Sequence, residues 1–127
     1  MSGRVVHFEI PFDDGERARG FYREAFGWNL QEIPEMAYTM ASSGPTTDQG
    51  MPSEPGYING GLFRRAAGPL RGPVIVVDVE RIDAALTRIE ELGGTTVVPR
   101  QPVGEMGFVA YFQDPEGNVV GLWENAA

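Results

Sequence analysis

The chain has 127 residues, no cysteine, and ten basic against 18 acidic side chains, which give a formal net charge of −8 at pH 7. This length predicts one domain, or two small modules that share a core. Nucleic acids and anionic membranes both require a basic face, so neither is an expected partner. The absence of cysteine excludes disulfides and thiolate zinc sites. No segment resembles a signal peptide or a membrane span, and a cytoplasmic location is expected.

The N-terminal region predicts a strand followed by a helix. Residues 5–12 alternate between an apolar and a mixed face, which is typical of a strand. Residues 16–28 have apolar side chains at helical spacing and a glycine, Gly27, at the end, which predicts an amphipathic helix. Asp13 and Glu16 have the spacing of a capping box. The aromatic residues of this segment, which follow the helical spacing and are therefore predicted to be core, are Phe21, Tyr22, Phe26 and Trp28.

Short strands are predicted next, at residues 28–33, 36–41 and 57–64. Residues 42–56 contain almost nothing that can be buried, so a long mobile loop is expected there. Such a loop is either a lid or binding loop or a solvated connector.

A second unit then repeats this order of elements. A strand is predicted at 74–79, a helix within 81–94 that ends at two glycines, and strands at 95–99, 108–113 and 118–123, with a loop at 101–106. Each half is therefore predicted to be a βαβββ module, and the fold class is α+β. Module 1 covers about residues 4–64, module 2 covers about residues 73–124, and residues 65–72 link them.

Superposing the two modules locates equivalent positions on their inner faces. When Phe12 is set opposite Val79, the first strands align at a constant offset, and the last strands align through the sequences around Gly61 and Gly121. The equivalent inner positions are His7 with Val74, Glu9 with Val76, Gly61 with Gly121, and Phe63 with Trp123. With the helices outside, these faces are predicted to line a concave cup.

The chain contains five motifs, at residues 7–14, 21–28, 92–94 and 114–118 and at Gly121-Leu122-Trp123. Together, in this order, they resemble the vicinal oxygen chelate superfamily. This superfamily includes glyoxalase I, extradiol dioxygenases and bleomycin-resistance proteins. The resemblance covers the whole chain except the 42–56 loop. It implies two βαβββ modules that curl into a half-open barrel, often in a homodimer. It also implies a divalent metal that chelates two adjacent oxygens of a substrate.

Three of the four positions that hold the metal in this family lack a side-chain donor here. The resemblance places the ligands on the first and last strands of each module, at His7, Gly61, Val74 and Gly121. Only the first of these has a side-chain donor, and one histidine cannot hold a catalytic ion. The site is therefore predicted to contain no metal and no other cofactor. If a metal does bind, His7 together with Glu9 would be its ligands, because strand alternation places Glu124 away from the cup.

His7 and Glu9 are the candidate catalytic residues. His7, the single histidine, can act as an acid or base near neutral pH, although a lone histidine on a strand is more often structural. Glu9 either acts as a general base or binds a cationic or hydroxylated ligand, or it only hydrogen-bonds a neighbouring strand or water. The other candidate ligand-binding residues are Tyr38, Met40, Asn59, Phe63, Val74, Val76, Met106, Tyr111 and Trp123. Such a lining suits a flat, moderately apolar small molecule, and the alternative is that these residues belong to the core.

Three functions are compatible with these features. The favoured one is a small-molecule-binding module, similar to the bleomycin-resistance branch, with a metal-free cup and a homodimeric assembly. The second is an enzyme, either a glyoxalase-like lyase or isomerase that uses Glu9 and His7, or a dioxygenase-like enzyme if a metal is present. The third is a partner-binding module without a small-molecule function.

Overall fold

The computed structural model describes residues 3–65 and 70–126, so the predicted linker at 65–72 lies partly outside the described residues. The chain divides into two compact units. His7–Pro73 forms one unit, and the N-terminal residues up to Val6 form the other together with the chain from Val74 onward. Within the described ranges, no helix is long and apolar enough to cross a bilayer.

Module 1 has the predicted βαβββ order. Its elements are β1 (Val5–Phe12), α1 (Gly15–Phe26), β2 (Asn29–Ile33), a single 3-10 turn (Pro34–Met36), β3 (Tyr38–Ser42) and β4 (Asn59–Arg64). The strand order in the sheet is β2-β3-β4-β1. β1 and β4 are parallel, whereas β3 is antiparallel to both of its neighbours. The strand predicted at 36–41 therefore begins later than expected, because Met36 belongs to the 3-10 turn.

One face of this sheet packs against α1. Leu30, Ala41 and Leu62 form its buried centre, and alternate β1 residues, Phe8 and Ile10 among them, pack around that centre. The helix begins one residue later than the capping-box spacing predicted, because Asp14 and not Asp13 accepts the backbone N–H of Arg17, at 3.1 Å. It ends at Gly27, whose left-handed φ of 72° favours glycine.

The aromatic side chains around α1 are less buried than predicted. Tyr22 and Trp28 are partly buried, and their rings stack with centroids 5.0 Å apart. Phe21 and Phe26, however, are 59% and 64% exposed. The prediction that these two are core residues is wrong, because helical spacing fixes the position of a side chain around the helix but not how far the sheet extends beneath it.

Module 2 repeats the order with β5 (Val74–Asp78), α2 (Ile82–Glu91), β6 (Thr95–Val103), β7 (Gly107–Gln113) and β8 (Val119–Asn125). Its strand order is β5-β8-β7-β6. β6 continues through most of the segment that was predicted to be a loop at 101–106. It does so through register shifts against β7 that place Gln101 opposite Val109 and Pro102 opposite Phe108. A bulged strand of this kind has no simple alternation in sequence.

The helix α2 is held in module 2 by core packing and by a hydrogen bond at its N-terminus. Ile82 and Leu86 pack with Ala110 and Leu122 in the buried core. The N-cap residue of α2 makes no side-chain cap, and instead Glu124 Oε1 of β8 accepts the backbone N–H of Ile82 at 2.8 Å. Glu124 therefore faces the helix, as strand alternation predicted.

The segment between β3 and β4 folds back on itself. Asn59 Oδ1 accepts the backbone N–H of Ser43 at 2.9 Å, and Ser43 Oγ donates to the carbonyl of Ile58 at 2.7 Å, which closes the base of the loop. Nearer the tip, Thr46 and Pro52 form an isolated bridge. The loop predicted at 42–56 is thus largely exposed but internally hydrogen-bonded.

Candidate functional site

Three polar side chains of module 1 meet on the sheet face opposite α1. Tyr38 Oη donates to Glu9 Oε2 at 3.0 Å, and His7 Nε2 lies 2.8 Å from the same hydroxyl. Because the phenol proton is given to Glu9, His7 Nε2–H acts as the donor to Tyr38. The result is a hydrogen-bond chain from His7 through Tyr38 to Glu9. We call these three residues the polar triad.

Strand register brings the triad together around a glycine. Glu9 on β1 and Met40 on β3 are both paired with Gly61 of β4, which lies between them. Tyr38 is the first residue of β3 and is paired with Phe63. Its side chain extends over Gly61. A Cβ at Gly61 would overlap the Tyr38 hydroxyl. The phenol therefore occupies the volume that a side chain at position 61 would fill.

Burial affects the charge state of His7. Glu9 is 8% exposed. The pKa of His7 is lowered below its ordinary value because burial disfavours the charged imidazolium, and the nearby Glu9 carboxylate offsets this only in part. His7 is thus favoured in its neutral form, which suits its role as an Nε2–H donor to the phenol.

The other candidate residues of module 1 lie on the same face. Asn59 is paired with His7 across β1 and β4, and Phe63 is paired with Pro11. Asn59 is buried and its Oδ1 is held by Ser43, but its Nδ2 has no hydrogen-bond partner among the described residues. The register pairs Met40 with Gly61 and Tyr38 with Phe63, so both residues share this face of the sheet.

In module 2 the equivalent face is apolar. Val76 is paired with Gly121, as Glu9 is paired with Gly61 in module 1. A Cβ at Gly121 would meet a Val76 methyl at 3.0 Å and the Tyr111 ring at 3.2 Å. Val74 is also buried. The inner-face positions are therefore polar in module 1, at His7 and Glu9, and apolar in module 2, at Val74 and Val76.

Two further predicted residues of module 2 have other surroundings. Trp123 shares the face of Gly121 by alternation, and its Nε1–H donates to Asn125 Oδ1 at 2.8 Å. Met106 precedes β7 in a turn and is 56% exposed. That all nine candidate ligand-binding residues line one cup stays a prediction.

The donor set does not fit a chelated divalent metal. Of the four family ligand positions only His7 carries a donor, and the space at Gly61 is taken by the Tyr38 hydroxyl. Within residues 3–65 and 70–126, no group of three or more His, Cys, Asp or Glu side chains is placed to hold a metal ion. A stable site usually requires three or more protein ligands, so the residues described here do not meet that requirement.

A cavity of about 550 Å³ lies at one end of module 1, between the start of α1 and the ends of the strands. Arg19 lies at its wall and donates to Thr39 Oγ1 at 3.3 Å. Tyr38 also contributes to the lining, but most of the lining faces the helix side of the sheet. The cavity is therefore mainly on the opposite side of the sheet from the polar triad.

Sequence reasoning identified the members of the triad but not their arrangement. His7 and Glu9 were assigned to one face by alternation, whereas the reach of Tyr38 over Gly61 depends on how β3 pairs with β4. A signal for it was present, since a strand glycine often marks the close approach of another group. The buried Thr39 and its partner Arg19 were not singled out at all.

Comparison with solved structures supports the α+β fold of two βαβββ modules. Methylmalonyl-CoA epimerase of Streptomyces coelicolor, in complex with 2-nitronate-propionyl-CoA, has a TM-score of 0.65 at 20% identity and covers 100% of both chains. Methylmalonyl-CoA epimerase of Mycobacterium tuberculosis has a TM-score of 0.63 at 17% identity, over 99% of this chain and 90% of that chain. At these identities the similarity shows the fold alone.

Comparisons of sequence agree with this fold. The family described as bleomycin resistance protein-like N-terminal matches residues 4–44. A candidate glyoxylase of Mycobacterium tuberculosis, CFP32, is 29% identical in an alignment of 121 residues that covers 91% of this chain but only 43% of that protein. A glyoxylase-like domain-containing protein of Didymella fabae is 28% identical over 93% of this chain and 91% of its own length. These matches support the resemblance of the chain to the vicinal oxygen chelate superfamily. The chain spans less than half the length of its mycobacterial relative.

Proposed function

We propose that this protein binds a small organic molecule on the inner face of module 1, through the polar triad and without a metal. The observation that carries the proposal is the position of the Tyr38 hydroxyl, which fills the space over Gly61 and hydrogen-bonds both His7 and Glu9. Where the family would place a metal ligand, this chain places a neutral hydrogen-bonding group. The triad can therefore orient a ligand through hydrogen bonds alone.

The chemistry of the face suggests the kind of ligand. Glu9 is a buried carboxylate and an acceptor when ionised, so it favours a ligand with a cationic or hydroxyl donor. Phe63 and Met40 lie on the same face and offer apolar contact to a flat ring. An aromatic molecule with an amine or hydroxyl group combines both features. The net charge of −8 also favours the approach of a cation.

Binding can be tested with a panel of aromatic amines, aromatic phenols and small carbonyl compounds, measured by thermal shift and then by calorimetry. Each measurement is made on protein treated with EDTA and on protein supplied with Ni²⁺, Zn²⁺, Mn²⁺ or Fe²⁺. We expect a ligand that raises the melting temperature equally in both, and that loses affinity about tenfold or more in Glu9→Gln. Stoichiometric metal in the purified protein that is lost in His7→Ala would contradict the proposal.

A metal-independent lyase or isomerase is the second candidate function, because the triad links a carboxylate to a histidine through one phenol. Glu9 would accept a proton from the substrate and become neutral, and the hydrogen bond from Tyr38 would hold its carboxyl group in position for the transfer. Epimerisation of methylmalonyl-CoA and the glyoxalase reaction are the first activities to assay, in EDTA. Turnover that persists unchanged in Glu9→Gln would exclude Glu9 as the base.

A further inference from the structure

The cavity of about 550 Å³ in module 1 has a partly buried guanidinium in its wall, that of Arg19. The Arg19 side chain is 16% exposed. Within the part of the chain that the structure describes, its acceptors are Thr39 Oγ1 at 3.3 Å and Glu32 Oε1 at 3.7 Å. Both distances exceed the roughly 2.7–2.9 Å of a close bond between a guanidinium and a carboxylate. A guanidinium has more N–H donors than these two contacts use, so Arg19 keeps donors for a further, closer acceptor.

Gly15, at the start of α1, provides the space that this guanidinium occupies. A Cβ at Gly15 would lie 2.8 Å from Arg19 Nη1 and 3.2 Å from Arg19 Nη2. The φ of Gly15 is not in the left-handed region, so the backbone conformation does not require glycine there. The glycine therefore supplies room for the Arg19 side chain, which lies against the first turn of the helix.

Carboxylates line the same cavity. Glu32 lies beside Arg19, and both Glu32 and Glu16 are exposed. Asp13 and Asp14 have other partners, because the first is in an ion pair at 2.8 Å and the second caps α1. The two glutamates repel a ligand that is only an anion, and the guanidinium repels one that is only a cation. A ligand that carries both a carboxylate and an amine complements this lining.

We propose that this cavity is a second binding site, for a free α-amino acid with an apolar side chain. The ligand carboxylate accepts from the guanidinium of Arg19, whose fork geometry matches it, and the ligand ammonium group donates to Glu32. The ligand side chain packs against the apolar part of the lining, which is formed by Phe12, Pro34 and Ala37. The volume is within the range of about 300–1,000 Å³ that is usual for small-molecule sites.

Calorimetry with L-leucine, L-methionine and L-phenylalanine tests this site, together with two analogues of leucine that each lack one charged group. Isocaproate lacks the amine, and isoamylamine lacks the carboxylate. We expect L-leucine to bind about tenfold or more tightly than either analogue, because each analogue leaves one charge of the site without its partner. The proposal is overturned if none of the three amino acids binds at up to about 10 mM, or if isocaproate binds as tightly as L-leucine.

A pair of glycine variants tests the role of the guanidinium. Gly15→Ala displaces the flexible end of Arg19, so it should weaken L-leucine binding by about fivefold or more without lowering the melting temperature. Gly20→Ala is the matched control in the same helix, since its Cβ would meet no atom within 4 Å, and it should leave the affinity unchanged. Wild-type affinity in Gly15→Ala would remove Arg19 from the site and refute the proposal.

A pair of glutamate variants tests the role of the carboxylate. Glu32→Gln should weaken the binding of L-leucine yet strengthen that of isocaproate, because it removes both the partner of the amine and a repulsion on the carboxylate. Glu35→Gln, an exposed position outside the lining, should change neither. Equal effects of Glu32→Gln on the two ligands would contradict the arrangement. Glu9→Gln should leave L-leucine binding intact, which separates this site from the polar triad.

Discussion

The hydroxyl of Tyr38 is the group on which the inner face of module 1 depends, and Tyr38→Phe removes it with little change in shape. The variant loses the bond to Glu9 Oε2 at 3.0 Å and the bond from His7 Nε2 at 2.8 Å. A hydrogen bond to a charged group contributes about 1.5–3 kcal/mol and a neutral one about 0.5–1.5 kcal/mol. Because the triad is only partly buried and water can replace part of each bond, we expect a loss near the lower end, about 2 kcal/mol.

Urea unfolding at pH 7.5 measures this loss, and a drop in melting temperature of about 6–10 °C should accompany it for a domain of this size. Tyr57→Phe is the matched control, since its hydroxyl donates to the Pro45 carbonyl in the exposed loop. The control should cost less than about 1 kcal/mol. If Tyr38→Phe costs no more than Tyr57→Phe, the triad does not stabilise the face and the reasoning is wrong.

Three further changes test neighbouring parts of the structure. Because the pKa of the single histidine, His7, is lowered from its ordinary 6.5, the unfolded chain takes up a proton that the folded chain does not, so the free energy of unfolding should fall as pH drops below about 6.5. This fall should disappear in His7→Gln when urea unfolding is repeated from pH 7.5 to 5.5, and an unchanged slope would refute the assignment. Glu124→Gln should cost about 1–2 kcal/mol in unfolding at pH 7, because it weakens the cap on Ile82 and the pair with Arg100, which lowers the Glu124 pKa. That cost is present above the ordinary pKa of 4.5 and should shrink as pH falls through the lower folded value; a constant difference would contradict it. Gly61→Ala should displace the Tyr38 hydroxyl and so break the same hydrogen bonds that Tyr38→Phe removes. In a double-mutant cycle, the loss of unfolding free energy in the double variant should therefore be smaller than the sum of the losses in the two single variants.

Much of the fold follows from local patterns in the sequence. The alternation through His7 and Glu9 predicted both β1 and its two faces, because a strand period of two leaves no other assignment. The spacing of apolar residues and Gly27 predicted α1 nearly to its last residue. The repeat also predicted that Glu9 and Val76 occupy equivalent places, and both are paired with the equivalent glycines of their modules.

The features that sequence reasoning missed depend on contacts between distant segments. β6 extends to Val103 through register shifts against β7, and nothing in the alternation of residues 99–103 specifies them. The exposure of Phe21 depends on how much of α1 the sheet covers, which is a property of the packing. Tyr38 lies 23 residues before Gly61 in the printed sequence, and only the pairing of β3 with β4 brings its hydroxyl over that glycine.

Positions 38 and 61 are coupled, because their side chains would occupy the same space. A ligand side chain at position 61 requires the space that the Tyr38 hydroxyl now fills, so a metal-binding arrangement and the polar triad exclude each other at this point. Once glycine stands at 61, a buried carboxylate and a histidine would face each other across a gap, and an unpaired buried polar group is costly. The phenol fills that gap and bonds both groups. A side chain at position 61 and the hydroxyl of Tyr38 thus compete for one volume, and in this chain the hydroxyl fills it.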